Sequence, residues 1–207
     1  MKSTIKKTVH TAALSLLAIT VLTSCTSQKV KKDCTSYEEA KLPVEVTTDW
    51  SVVPSGIQAS IGSIDKKYIQ HEVPETTISK NWSGSAWKGE RTSAQIILWS
   101  KDSVPSVELK LSDFKGENGA TISENNTQTR FVRYVLTDEF AEGCGHRKPE
   151  DYAVSLSADA LDNIDCMNID AETARPVWIT IDVPADAVAG KYSANLDLYA
   201  NGKKSET

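Results

Sequence analysis

Few residues in this chain of 207 have the type and spacing that chemistry requires. Asp138-Glu139 sets two carboxylates side by side, the groups used for acid–base work on a substrate. The pair closes a strand-like stretch, 130–137, and is expected to be structural or solvated, because position in a fold decides what a carboxylate does. His71 and His146 lie far apart, and no Gly-x-Ser-x-Gly context supplies a nucleophile. Gly116-Glu117-Asn118-Gly119 is too short for a phosphate loop and reads as a turn. Trp82 and Trp87 flank Ser83-Gly84-Ser85-Ala86. Indoles in a small-residue loop can stack on the C–H face of a sugar ring; their competing role is packing. Trp50, Trp99 and Trp178 fall in strand-like runs and are expected in the core. Arg91, Arg133 and Arg175 suit carboxylates or loop carbonyls, and structural pairing is the expected use. Glu90 and Arg91, adjacent on entry to a strand, point to opposite faces and need separate partners. Asp159 and Asp162 are expected to hold a loop through backbone hydrogen bonds. No catalytic residue, metal site or cofactor site is expected in this chain.

The elements that position these groups begin with a targeting segment. Lys2, Lys6 and Lys7 precede a mostly apolar run over 12–22. Such a run is too short to cross about 30 Å of hydrocarbon and reads as a signal peptide, 1–24. Leu22-Thr23-Ser24-Cys25 resembles a bacterial lipobox, which implies lipidation of Cys25 and attachment to the cell envelope, at the periplasmic face or the cell surface. Residues 25–45 read as a flexible tether, and 46–207 as one folded domain. Export favours disulfides. With Cys25 assigned to lipid and Cys34 in the tether, Cys144 and Cys166 are the expected pair. A metal site of Cys144, His146 and Cys166 lacks a clear fourth ligand.

Residues 46–207 show short β-type runs separated by turn residues. Strands are expected over 49–53, 68–72, 93–99, 106–111, 130–137, 177–183 and 192–199. Val107, Leu109 and Leu111 alternate with Ser106, Glu108 and Lys110; Leu196, Leu198 and Ala200 alternate with Asn195 and Asp197. Residues 184–190 read as a hairpin connection between the last two strands. The only helix-like stretch is 149–161. The pattern indicates an all-β, two-sheet antiparallel β-sandwich of immunoglobulin or jelly-roll type. The chain ends on Asn201-Gly202-Lys203-Lys204-Ser205-Glu206-Thr207, turn residues with no strand expected after them, as in one domain of a longer protein or in a simple polar tail. A net charge of -5 and scattered Lys and Arg argue against nucleic acid as a partner.

Several blocks occur in a recognisable order: His71-Glu72-Val73-Pro74-Glu75; Trp87-Lys88-Gly89-Glu90-Arg91; Phe131-Val132-Arg133-Tyr134-Val135; Gly143-Cys144-Gly145-His146-Arg147; Arg175-Pro176-Val177-Trp178; and Gly190-Lys191-Tyr192. Together they resemble the N-terminal β-sandwich of glycoside hydrolase family 123, exported enzymes of the β-N-acetylgalactosaminidase type. The resemblance implies a partner: a catalytic (β/α)-barrel after the sandwich, with a substrate-assisted mechanism carried by a barrel Asp-Glu pair. None of that barrel lies in this chain, so no catalytic residue carries over, and Asp138-Glu139 sits in the sandwich part. The expected function is a non-catalytic accessory domain for hydrolysis of N-acetylhexosamine-containing glycans. The alternatives are a stand-alone carbohydrate-binding lipoprotein, with Trp82 and Trp87 as glycan contacts, and a structural or adhesion sandwich.

Overall fold

The structure is a computed structural model describing Cys34, 38–42, 47–137 and 155–205. All of these belong to the second of two compact units, Lys32–Thr207. Cys25, Asp138, Glu139, Cys144 and His146 lie outside the described residues.

Twelve strands carry the fold: β1 Gln58–Gly62, β2 Arg91–Ser100, β3 Val104–Leu111, β4 Phe114–Gly116, β5 Thr121–Ile122, β6 Thr127–Thr137, β7 Ser155–Asp162, β8 Met167–Ile169, β9 Thr173–Asp182, β10 Tyr192–Ser193, β11 Leu196–Ala200 and β12 Lys203–Lys204. No α-helix occurs among the described residues; two 3-10 turns, Trp50–Val52 and Glu124–Asn126, punctuate the strands. One sheet has the order β1-β2-β9-β6-β7 and a second the order β12-β11-β3-β8. A third, small sheet has the order β10-β4-β5. All the pairings are antiparallel.

The alternating patterns explain the layers. Ala94, Ile96 and Leu98 of β2 and Val177, Ile179 and Ile181 of β9 share one core with Val107, Met167, Ile169 and Leu198 of the second sheet. Successive residues of a strand face opposite ways, so Ile97 and Trp99 emerge on the outer face of β2. There they pack with Trp50, Val53, Tyr68 and Ala174. Each such side chain contributes roughly 1.5–3 kcal/mol through burial. Gln95, also buried, donates its amide to the carbonyls of Ser63 and Lys66 and so fastens that turn to the sheet. β2 is therefore covered on both sides.

Several expectations are corrected here. Residues 49–53 and 68–72 are not strands; they form the outer cover, because Trp50 and Tyr68 reach the sheet face without adding to its edge. Residues 155–161 of the expected helix are β7, drawn into the sheet by pairing with β6 from Phe131 to Thr137. The expected strand over 192–199 breaks at Ala194-Asn195 as the chain passes from the small sheet to the second sheet. For the same reason 184–190 is a crossover between sheets and not a hairpin. The Asn201-Gly202 turn does lead into a strand: both residues take positive φ, +49° and +74°, the conformation of a tight hairpin turn, and β12 folds back onto β11.

The disulfide is also different. Cys166 bonds to Cys34, across a separation of 132 residues, and not to Cys144. The tether expected over 25–45 is correspondingly shorter. Cys34 is fixed to the start of β8, and Glu39 is nearly buried on the domain.

Candidate functional site

Two constellations stand out. The first is a polar cluster in a wedge of the five-stranded sheet. β6 and β9 pair from Thr127–Ile181 as far as Phe131–Val177 and then part. Strands that part leave backbone groups needing new partners. Arg175 Nη1 donates to the Val132 carbonyl at 3.0 Å, and the Tyr134 N–H donates to Glu39 Oε1 at 2.9 Å. Arg175 and Glu39 then bind each other with two parallel hydrogen bonds, at 2.6 and 2.8 Å, the strong bidentate form. Gln70 Nε2 donates to Glu39 Oε2 at 3.1 Å, and the Arg175 guanidinium lies over the Tyr134 ring at 4.9 Å. The Tyr134 hydroxyl donates to the Tyr68 carbonyl at 2.9 Å. Arg133 bonds Asp162 at 2.5 Å.

Burial alone would raise the Glu39 pKa, but the hydrogen bonds and charge of Arg175, the Tyr134 N–H and the Arg133 charge outweigh it, and the net shift is downward. Burial pushes the Tyr134 hydroxyl up. A carboxylate held down and a phenol held protonated, each with its partners filled, make a clamp rather than an acid–base pair. The unfolded chain binds more protons than the folded one between the two Glu39 pKa values. The stabilisation by Glu39 is therefore complete above its ordinary value of 4.5 and is lost as pH falls through the lowered one. Thermal melts from pH 6 to 3 are expected to show a steep loss in this range, and the loss is shallower in Glu39→Gln.

Arg91, Arg133 and Arg175 each bind a carboxylate of the domain itself. Arg91 meets Asp182 at 2.6 and 3.1 Å on the surface, and Glu90 turns the other way to accept from the Trp87 N–H. The two aspartates differ from expectation: Asp159 pairs with Lys67 and Asp162 with Arg133, both through side chains. Sequence reasoning missed Glu39 altogether. It lies in a polar stretch, and its partner is 136 residues away.

The second constellation is the aromatic loop. Trp50 and Trp99 are core, and Trp178 is partly buried. Trp82 is 39% exposed and Trp87 83%. A Cβ at Gly84 would lie 2.6 Å from the Trp82 indole, so a larger residue there would have to displace that side chain. Trp87 opens a tight turn: the Glu90 N–H donates to its carbonyl at 3.1 Å, and Gly89, at φ +76°, donates to Val183 at 2.9 Å. The turn is thus tied to the end of β9 and holds the indole in solvent. Ile78, 63% exposed, precedes Trp82 and Trp87 in the same stretch between β1 and β2. Among the described residues, no group of three or more His, Cys, Asp or Glu could hold a metal ion.

The described strands form a β-sandwich, and its buried Glu39–Arg175 cluster is fully paired. Residues 61–200 match the glycoside hydrolase 123 N-terminal domain, and the chain belongs to that family. Among solved structures, it is similar to a family 123 glycoside hydrolase from Clostridium perfringens, studied for the details of glycolipid glycan hydrolysis. The identity is 26% and the TM-score 0.62, over 71% of this chain and 25% of that one. The chain thus spans about a quarter of the length of that hydrolase. No curated protein matches it.

Proposed function

We propose that this chain is the non-catalytic N-terminal accessory domain of an exported, lipid-anchored glycoside hydrolase acting on N-acetylhexosamine-containing glycans. The observation that carries the reading is the family match over residues 61–200. In this reading the sandwich packs on a catalytic barrel and shapes one side of its cleft. Ile78, Trp82 and Trp87 suit that contact, since covering apolar surface contributes about 25 cal/mol per Å². The signal-like 1–24 and the lipobox-like Cys25 support attachment at the cell envelope, within reach of glycans outside the cytoplasm. A carbohydrate-binding lipoprotein is the second reading, favoured by the solvent-facing indole of Trp87.

The test is to express the chain joined to whatever its gene encodes after Thr207. The expected extension has βα periodicity and an Asp-Glu pair. Trp87→Ala then lowers the melting temperature of the joined protein and leaves that of the chain alone unchanged. Glycan binding by the chain alone, lost in Trp82→Ala or Trp87→Ala, would transfer the assignment to the binding lipoprotein.

A further inference from the structure

Along one flank the two sheets leave edges half free. β3 pairs with β8 only from Val104 to Val107, so its 109–111 portion has β11 on one side and no described strand on the other. β6 pairs with β7 only from Phe131 onward, which leaves 127–130 in the same condition beside β9. A groove runs between these stretches. One part, of about 410 Å³, is lined by Lys110, Leu111, Glu124, Asn125, Thr127 and Thr129. Thr129 also lines the second part, of about 210 Å³, with Leu109, Phe131, Asn163, Ile164 and Asp165. The side chains of Glu124, Asn125, Thr129 and Asn163 have no hydrogen-bond partner among the described residues.

We propose that this groove is an auxiliary glycan site that takes a short, neutral oligosaccharide containing N-acetylhexosamine. The choice of sugar rests on the glycosidase reading above; the groove itself does not. Amide, hydroxyl and carboxylate groups together offer the mixed donors and acceptors that vicinal sugar hydroxyls and an acetamido group require. Leu109, Leu111 and Ile164 supply apolar surface for ring C–H groups and the acetyl methyl. One lysine beside Glu124 leaves the groove no surplus positive charge with which to hold an anionic ligand. An extended peptide could instead add to the strand edges that have no described partner; its titration is one arm of the test.

The test is titration of the chain with triacetylchitotriose and with a disaccharide containing N-acetylgalactosamine, followed by NMR and calorimetry. Chemical-shift changes are expected over 109–111, 127–131 and 163–165. Thr129→Phe, which fills the middle of the groove, is expected to weaken binding at least tenfold. So is Asn125→Ala with Asn163→Ala, two exposed positions whose change leaves the fold intact. Trp87→Ala is expected to leave binding unchanged. No shifts at about 10 mM sugar, weaker than specific binding usually runs, would overturn the site. So would binding lost in Trp87→Ala yet kept in Thr129→Phe, or groove shifts produced by an extended peptide and not by sugar. Failure here beside an active longer enzyme removes the groove alone; sugar binding beside an inert longer enzyme removes the glycosidase reading alone.

Discussion

Replacing Glu39 with alanine is expected to destabilise the domain by about 3–5 kcal/mol, the loss seen when one partner of a buried ion pair is removed. Three groups would be stranded at once. The Arg175 guanidinium, with a side chain only 8% exposed, would lose its counter-charge and two hydrogen bonds. The Tyr134 N–H, at the point where β6 leaves β9, would lose its acceptor. Gln70 would lose its carboxylate partner. At roughly 2–4 °C per kcal/mol for a domain of this size, the melting temperature should fall by about 6–20 °C. Glu39→Gln keeps an oxygen that can accept from Arg175 or Tyr134, so its loss should be smaller. Glu39→Ala combined with Arg175→Met should lose less than the two separate changes together, because neither charge is then left alone. An unchanged melting temperature in Glu39→Ala would mean that the wedge is held by the strands themselves.

The second large effect concerns Cys34–Cys166. A link across 132 residues removes much conformational freedom from the unfolded chain, about 5 kcal/mol in the chain-entropy account, with 2–5 kcal/mol the usual loss on removing a native disulfide. The double variant Cys34→Ala, Cys166→Ala should therefore melt well below the parent. Cys166 is fully buried, so mild reductant acting on the folded protein should leave the bond intact. Peptide mapping without reduction should recover Cys34 linked to Cys166; recovery of Cys144 linked to Cys166 would contradict the structure. The disulfide and the Glu39 carboxylate fasten one short segment, the first to β8 of the second sheet and the second to β9 and β6 of the first. Both fasteners precede residue 61, where the family match begins. A fragment of 61–200 alone should consequently melt far below the full domain.

The parts of this fold that could be read from sequence were those where local pattern and tertiary environment agree. β3 and β11 alternate cleanly because each shows one face to the core. β2 carries the continuous run Ile96-Ile97-Leu98-Trp99 because both of its faces are covered. β7 was hidden because Ala158, Ala160 and Leu161 favour helix locally, and only pairing with β6 overrides that preference. β1, with Gln58, Ser60 and Gly62, carries little apolar signal, as suits an edge strand. The segments around Trp50 and Tyr68 have strand-like composition but serve as a cover, and composition does not distinguish an edge strand from a lid. Glu39 was illegible for a different reason. A carboxylate in a polar stretch looks solvated until the fold brings an arginine to it from 136 residues away. Of the contact surface, the two indoles were legible as candidates, and their exposure was not. The half-free edges of β3 and β6 depend on strand pairing and left no trace in the sequence.

The central claim is that this polypeptide is a family 123 sandwich whose chemistry is done elsewhere. The most direct measurement is hydrolysis of a chromogenic N-acetyl-β-galactosaminide by the purified, folded chain, beside the same chain extended by a catalytic barrel. No release above buffer is expected from the chain alone, and turnover is expected from the extended protein. Sustained turnover by the chain alone, abolished by Asp138→Asn or Glu139→Gln, would contradict it.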